Sequence, residues 1–202
     1  IPHGLNERFN LEPKEQLEIS QYNNDNPYQL LYVSIIDQYK HQWHVVDAVA
    51  MLREIGYPVV LNLVGPAYPA SLRRLTKKIN KIDKKKKYIR YHGSIPYKDL
   101  HNIYKESHLG IFASSCENMP NILIETMAAG LPIACSNMGP MPEILGDAGL
   151  YFNPEDTNEI FNALERLISS PKLRAEKAQA SFISVKKYSW ASCSQETFSF
   201  LE

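Results

Sequence analysis

The feature that most constrains this chain is the regular alternation of short apolar runs with longer segments of helical periodicity. Residues 30–36 and 59–64 are apolar runs short enough for buried strands, whereas residues 41–55 and 68–82 repeat apolar side chains at helical spacing. Parallel strands need long crossovers, usually helices, to join them. The chain is therefore predicted to have an α/β fold with a parallel sheet of about six strands and helices on both faces.

This alternation assigns most of the chain to regular elements. Strands are predicted at residues 30–36, 59–64, 88–91, 109–113, 133–135 and 150–152. Helices are predicted at residues 41–55, 68–82, 97–106, 122–129, 142–145, 157–168, 171–188 and 192–201. At 202 residues the chain is expected to form one domain over residues 1–202, on which the helices of residues 153–202 pack.

Composition argues against several classes of function. Lys plus Arg equals Asp plus Glu at 22 each, so no global charge attracts nucleic acid, and no nucleic-acid partner is expected. Cys116, Cys135 and Cys193 are too few for a disulfide framework or a four-ligand zinc site, which favours a reducing compartment. No apolar run reaches the roughly 20 residues that span a bilayer. The expected location is the cytoplasm.

Two glutamates eight positions apart, Glu117 and Glu125, bracket the turn between a predicted strand and a predicted helix. The N-terminus of that helix offers unpaired N–H groups and a partial positive charge, which suit a phosphate, and carboxylates beside it can accept hydrogen bonds from hydroxyls. Ser34, Lys40 and Gly93 follow other predicted strands and belong to the same edge, where ligands of open α/β sheets bind. The pattern therefore predicts a sugar nucleotide as the ligand.

Six ordered blocks of the sequence carry a resemblance to a known family. The central block is a Glu, seven residues and a second Glu. The blocks are residues 1–6 with Phe9, 117–125, 127–134, 139–145, 149–152 and 189–190. Together they resemble the C-terminal half of the retaining glycosyltransferases of the two-domain GT-B type, in the group 1 (GT4) family.

The resemblance implies a Rossmann-like domain that binds a nucleoside diphosphate sugar, either a UDP-sugar or a GDP-sugar, without a cofactor or metal. It implies transfer of the sugar with retention to a glycan or lipid-linked acceptor, in cell-envelope polysaccharide synthesis. The sequence also lacks the Asp-any-Asp pattern of metal-dependent sugar transferases. The N-terminal acceptor domain would be missing from this chain, so the isolated domain is expected to be inactive.

The resemblance also assigns roles to individual residues. Glu117 and Lys40 are the expected catalytic residues, with Glu117 on the transferred sugar and Lys40 on the diphosphate. Glu125 is expected to accept hydrogen bonds from both ribose hydroxyls. The other expected donor-binding residues are the loop Asn118, Met119, Pro120 and Asn121, whose N–H groups (Pro120 has none) approach the sugar and phosphate, Gly93, Ser94 and Ile95 around the nucleobase, Ser34, and Gly4 near the diphosphate.

Three positions depart from the family pattern. Ile35 stands where Arg is usual, which removes one of two expected phosphate cations. Asn118 stands where Gly is common, and His3 where Asn is usual. Three explanations of Ile35 are open: weaker binding of the diphosphate, another cation in place of the Arg, or a subfamily with different charge handling. His41 and His44 are candidates for the other cation.

Two rival functions are a nucleotide-binding module without turnover and a sugar-nucleotide epimerase of the same architecture. A nicotinamide-dependent oxidoreductase is disfavoured, because no Gly-any-Gly-any-any-Gly follows the first strand. The basic run at residues 77–87 contains seven lysines. It could contact an anionic membrane surface, but a solvated helix end and loop is the favoured interpretation. Peripheral association of the full-length protein with the inner face of the cytoplasmic membrane therefore stays open.

Overall fold

The structure, a computed structural model that describes residues 1–201, contains one sheet of six parallel strands within those residues. The strands are β1 (Tyr28–Val33), β2 (Val59–Val64), β3 (Ile89–Tyr91), β4 (Leu109–Phe112), β5 (Ile133–Ser136) and β6 (Gly149–Phe152). Their spatial order is β3-β2-β1-β4-β5-β6, so the order reverses between β1 and β4. The predicted parallel α/β sheet is confirmed.

The helices also follow the predicted order. They are α1 (Gln42–Glu54), α2 (Pro69–Ile82), α3 (Tyr97–Glu106), α4 (Asn121–Ala128), α5 (Met141–Leu145), α6 (Thr157–Ser169), α7 (Pro171–Ser184) and α8 (Trp190–Leu201). Two predicted boundaries are wrong by more than two residues. The first strand ends at Val33, after which Ile36 forms an isolated bridge with Ala67. The predicted helix 171–188 ends at Ser184, where a tighter 3-10 turn buries Val185 in the core.

The helices cover the sheet from two sides. On one side α1 packs against α2 and α6, and on the other α4 packs against α7 and the short turn Glu7–Phe9. Strands between two helical layers are buried on both faces, and all six residues of β2 are buried. Because β1 leads into α1 and β4 into α4, the loops after these neighbouring strands diverge and leave a crevice at the carboxyl edge.

Gly110 of β4 makes room for α4. A Cβ atom at Gly110 would lie 2.3 Å from Cγ2 of Thr126, far inside normal contact distance. Thr126 therefore packs directly on the strand, and the close approach sets the height of α4 above the sheet. Glu125, the neighbour of Thr126 in α4, takes its position from this contact.

The helices after residue 153 differ in how they pack. Both α6 and α7 bury residues against the domain, whereas α8 buries none of residues 190–201. Trp190, Phe198 and Phe200 are exposed. The predicted packing of residues 153–202 therefore takes a different form in α8, which contacts the N-terminal segment through Trp190 and leaves its large apolar side chains exposed. Glu202 lies outside the described residues.

Arg174 in α7 is fully buried and connects three segments of the chain. Its guanidinium donates hydrogen bonds to the carbonyl oxygens of Leu167 and Ile168 at the end of α6, and of Leu17 in the N-terminal segment. The ring centroid of Tyr28 lies 5.3 Å from its Cζ atom. A cation suits the C-terminus of a helix, where carbonyl oxygens are unpaired. Within residues 1–201 no carboxylate forms an ion pair with it.

The basic run at residues 77–87 covers the end of α2 and the loop that follows. Lys78 pairs with Asp47 of α1, and the other six lysines are exposed. Asp83 is buried and accepts hydrogen bonds from the N–H groups of Tyr88 and Ile89 at 2.8 and 3.0 Å, which anchors the loop to β3. No helix within residues 1–201 is long and apolar enough to cross a membrane.

The environment of His108 makes stability depend on pH. Its Nδ1 accepts a hydrogen bond from the N–H of Gln29 at 2.8 Å, and its ring stacks on Tyr28 with centroids 5.0 Å apart. Burial, with smaller contributions from Lys14 and Arg174, lowers the pKa of His108 from 6.5 to about 4. Between these two pKa values the unfolded chain binds a proton that the folded chain does not, so stability falls as the pH drops from about 6.5 to about 4.

We therefore expect the chain to lose more thermal stability between about pH 7 and about pH 4.5 than the variant His108→Asn. In the variant, Oδ1 replaces Nδ1 as an acceptor that does not take up a proton in this range. Melting temperatures followed by circular dichroism at both pH values give the comparison, and other titrating groups cancel between the two proteins. Equal losses would contradict the assignment to His108.

Candidate functional site

The loops after β1 and β4 bring the two expected catalytic residues together. Lys40 forms an ion pair with Glu117, and both side chains are largely buried. The Lys40 Nζ atom lies 4.8 Å from the ring centroid of Tyr39 and 5.5 Å from that of Phe112. A buried ammonium group needs a partner of opposite charge, and Glu117 supplies it. The pair lies where the strand order reverses, which is the usual ligand-binding position in such sheets.

Further contacts hold these two loops against each other. The N–H of Ser115 donates to the Tyr39 carbonyl oxygen at 2.8 Å, and Nε2 of His41 lies 2.9 Å from the Ser115 hydroxyl oxygen. His41 adopts a left-handed backbone conformation with φ of 50°, which is uncommon for a residue with a Cβ. The positions of Lys40 and Glu117 are therefore fixed by contacts on both sides of the crevice.

Both histidines that could stand in for the usual Arg at position 35 have contacts of their own. Burial, followed by the nearby His44, lowers the pKa of His41, and its Nε2 is engaged with Ser115. His44 points elsewhere, with Nδ1 at 2.9 Å from the carbonyl oxygen of Pro154 in the loop after β6. The hypothesis that one of them replaces the usual Arg is not supported by these contacts.

Glu125 lies in the second turn of α4 rather than at its start, and its side chain is only 7% exposed. The Tyr97 hydroxyl donates a hydrogen bond to its Oε1 atom at 3.0 Å. Burial raises the pKa of Glu125 to about 7, and the bond from Tyr97 opposes that shift. Sequence reasoning missed Tyr97, although its place at the start of the helix after Gly93 puts it at the same edge of the sheet.

The loop before α4 offers fewer backbone donors than the sequence predicted. Pro120 has no N–H, and the N–H of Asn121 already donates to the carbonyl oxygen of Met119 at 2.9 Å. The Asn121 N–H would have to leave this contact to reach a sugar or phosphate, and its expected role stays a prediction. Its side chain has another contact, since Oδ1 lies 3.0 Å from Nδ1 of His3. The N-terminal segment thereby reaches the start of α4.

The remaining predicted residues lie at or near this edge with contacts of their own. The Gly93 carbonyl accepts the N–H of Gly65 at 2.8 Å, beside exposed Ser94 and half-buried Ile95. Ser34 is buried, and its hydroxyl donates to the Ile35 carbonyl at 3.0 Å. Among the charged side chains at this edge, hydrogen bonds join Lys40 with Glu117 and Glu125 with Tyr97.

Gly4 packs against the start of α8. A Cβ atom there would lie 2.2 Å from the backbone nitrogen of Trp190, so only glycine fits without a shift of the chain. The indole of Trp190 also stacks near the ring of His3, with centroids 6.1 Å apart. A groove of about 700 Å³ lies beside this contact, between the N-terminal segment and α8, and contains neither Lys40 nor Glu125.

Within residues 1–201 no group of three or more histidine, cysteine or acidic side chains is arranged to hold a metal ion. Lys40 can hold an anionic group, and Glu117 can accept hydrogen bonds from hydroxyls. Burial raises the pKa of Glu125 to about 7, which favours its protonated form more than in an exposed glutamate.

The strand order with its crevice between β1 and β4 defines a Rossmann-like α/β domain as the class of protein. Residues 14–182 match the family described as Glycosyl transferases group 1, and the chain belongs to that family. The resemblance found in the sequence blocks is thereby confirmed.

Individual relatives agree with this assignment. The chain is 30% identical over 110 residues to O-antigen chain mannosyltransferase B of Escherichia coli, a match that covers 54% of this chain and 29% of that protein. Sucrose-phosphate synthase from Thermosynechococcus elongatus superposes with a TM-score of 0.83 at 22% identity, covering 100% of this chain and 51% of the other. Anabaena HepE, determined with UDP and glucose, gives a TM-score of 0.83 at 18% identity, covering 98% and 55%.

The structural likenesses establish the fold alone, since their identities are low. The chain spans less than a third of the curated relative and about half of the solved structures. The activity of the whole protein therefore has to be inferred from the site.

Proposed function

We propose that the chain is the donor-binding domain of a retaining glycosyltransferase and that it binds a nucleoside diphosphate sugar, with UDP or GDP as the nucleotide. The observation that carries this proposal is the contact between Lys40 and Glu117 at the reversal of strand order, in a chain of this family. Two relatives support it, one a mannosyltransferase and the other a protein determined in complex with UDP and glucose.

In the proposed transfer the bond between the anomeric carbon and the diphosphate oxygen breaks while a bond to the acceptor oxygen forms on the same face of the sugar. The proton of the acceptor hydroxyl passes to the leaving diphosphate. Lys40 stabilises the negative charge that develops on the leaving group, and Glu117 orients the sugar hydroxyls. Glu125 accepts the ribose hydroxyls. The proposed chemistry uses no metal or cofactor, because Lys40 and the N-terminus of α4 supply the positive charge.

The acceptor is proposed to bind a second domain outside residues 1–202, so the chain alone should bind the donor without transferring its sugar. A glycan of the cell envelope is the proposed acceptor, and the similarity to the O-antigen chain mannosyltransferase B of Escherichia coli supports it. This setting would place the full-length protein in the cytoplasm with access to the inner face of the membrane.

Substitution of each residue of the ion pair between Lys40 and Glu117 tests the proposed binding of the diphosphate. We expect Lys40→Ala to bind UDP or GDP about 10- to 100-fold more weakly, because a hydrogen bond to a charged group contributes about 1.5–3 kcal/mol. We expect Glu117→Gln to bind the same diphosphate more tightly, since Lys40 then has no competing carboxylate. Calorimetric titration of each variant with UDP and with GDP measures both effects.

The matched control is Lys78→Ala, which breaks the ion pair with Asp47 between α1 and α2 and should leave nucleotide binding unchanged. Binding to Lys40→Ala as tight as to the unmodified chain would contradict the role of Lys40. Failure of the unmodified chain to bind either nucleotide would contradict the proposed function.

A further inference from the structure

Tyr97 connects three parts of the predicted nucleoside region. It is the first residue of α3, directly after the loop that contains Gly93, and its hydroxyl donates to Oε1 of Glu125 at 3.0 Å. Its ring lies against Phe9, with centroids 5.3 Å apart, and the Arg8 guanidinium lies 6.0 Å from the ring centroid. The side chain is 51% exposed, so its hydroxyl is held by this one contact while part of the ring faces solvent.

We propose that Tyr97 is a positioning residue for ribose recognition, whose hydroxyl holds the Glu125 carboxylate in the orientation that accepts both hydroxyls of a ribose. This inference rests on the proposed function, and it assigns to Tyr97 a role that neither the family pattern nor the sequence indicated.

The hydrogen-bonding capacity of the carboxylate permits this arrangement. Two carboxylate oxygens together have about four acceptor positions. Tyr97 occupies one of them, on Oε1, so one position on Oε1 and both on Oε2 stay available for the 2′ and 3′ hydroxyls. A glutamate side chain has several rotatable bonds, and the bond from Tyr97 restricts the last of them before any ligand binds. Ribose is then met by an acceptor pair that is already oriented.

The charge of Glu125 is adjusted by the same contact. The groups that face it are Tyr97 and Tyr104 of α3, and Arg8 lies over the Tyr97 ring. Burial first, and then Glu125, raise the pKa of Tyr97 to about 12, so the phenol stays a donor across the physiological range. A donor favours the ionised carboxylate, which accepts hydroxyls more strongly than the acid does. Without the Tyr97 hydroxyl, Glu125 should ionise at higher pH.

The test is the variant Tyr97→Phe, which keeps the ring against Phe9 and removes only the hydroxyl. UDP, GDP and their 2′-deoxy counterparts are titrated calorimetrically into the chain, the variant and a control between about pH 5.5 and about pH 8.5. We expect the ratio of the affinities for the ribose and the deoxyribose nucleotides to fall severalfold in the variant. We also expect the midpoint of its pH–affinity curve to move to higher pH.

The matched control is Tyr57→Phe, which removes a hydroxyl that donates to Oε1 of Glu165 at 2.9 Å, a contact of the same kind away from the site. It should leave both the preference and the midpoint unchanged. The preference compares two ligands on one protein sample, so a partly unfolded population weakens both equally and does not alter it.

The outcomes distinguish a failure of the role of Tyr97 from a failure of the proposed function. If the unmodified chain binds a diphosphate and Glu125→Gln weakens it, but Tyr97→Phe keeps the full preference and midpoint, the proposal for Tyr97 is overturned and the proposed function stands. If the unmodified chain binds none of the nucleotides, both are overturned.

Discussion

Glu125→Gln is expected to bind nucleoside diphosphates about 10- to 100-fold more weakly and, at about pH 8, to unfold at a higher temperature than the unmodified chain. The loss of affinity follows from the ribose. A carboxylate can accept both hydroxyls through charge-assisted hydrogen bonds, whereas an amide is neutral and has a single acceptor oxygen. Calorimetric titration with UDP and GDP measures this effect.

The gain in stability follows from the pKa of Glu125. In the unfolded chain the group titrates near 4.5, and burial raises its pKa to about 7 in the folded chain. The folded state therefore favours the protonated form, and the stability that this form contributes is fully present below pH 4.5 and lost as the pH rises through 7. At higher pH a buried charge costs up to about 3 kcal/mol, which glutamine avoids. Melting temperatures near pH 5 and pH 8 should differ less in the variant.

Glu165→Gln is the control for the loss of affinity, because Glu165 also accepts a tyrosine hydroxyl but lies in α6. It should leave nucleotide binding unchanged. If Glu125→Gln binds nucleotide as tightly as the unmodified chain, Glu125 does not contact the nucleotide. If the variant melts at a lower temperature than the unmodified chain at pH 8, the cost assigned to the buried charge is contradicted.

Arg174→Met is expected to destabilise the chain by about 3–5 kcal/mol, because each buried acceptor left without a donor costs about 1–3 kcal/mol. Methionine fills part of the same volume but leaves the buried carbonyl oxygens of Leu167 and Ile168, and the part-buried one of Leu17, without their donor. It also releases the N-terminal segment from the end of α6. Urea denaturation followed by circular dichroism gives the change in the free energy of unfolding.

The control is Arg166→Met, which removes an exposed arginine from the last turn of α6. Surface substitutions of this kind change stability by about 0.5 kcal/mol or less. If the two variants unfold at similar urea concentrations, the network around Arg174 contributes little. If Arg174→Met is the more stable, desolvation of the guanidinium outweighs its hydrogen bonds.

The sheet could be predicted because its central strands are almost wholly apolar and stand out from their polar flanks. The contact between Lys40 and Glu117 could not. These residues are 77 positions apart, and they meet only because β1 lies beside β4, an adjacency that alternating strands and helices do not determine. The family resemblance assigned a role to each residue separately and was silent on the ion pair between them.

Single polar side chains show the other limit of sequence reasoning. Tyr97 is an exposed aromatic residue at the start of a helix, and no periodicity distinguishes it from an ordinary surface tyrosine. Arg174 has exposed Lys172 and Glu176 on either side, which suggests a solvated helix. It is buried because the chain near Leu17 passes over the end of α6, and that long-range packing leaves no local pattern in the sequence.

On the proposed function, the ion pair between Lys40 and Glu117 also bears on how a reaction cycle ends. An ammonium group that faced the diphosphate alone would retain the spent nucleotide after the sugar has left. Glu117 loses its contact with the sugar when the sugar departs, and its carboxylate can then pair with Lys40 again in place of the diphosphate. Product release limits the turnover of many enzymes. The carboxylate that competes with the incoming donor thereby shortens the residence time of the outgoing nucleotide.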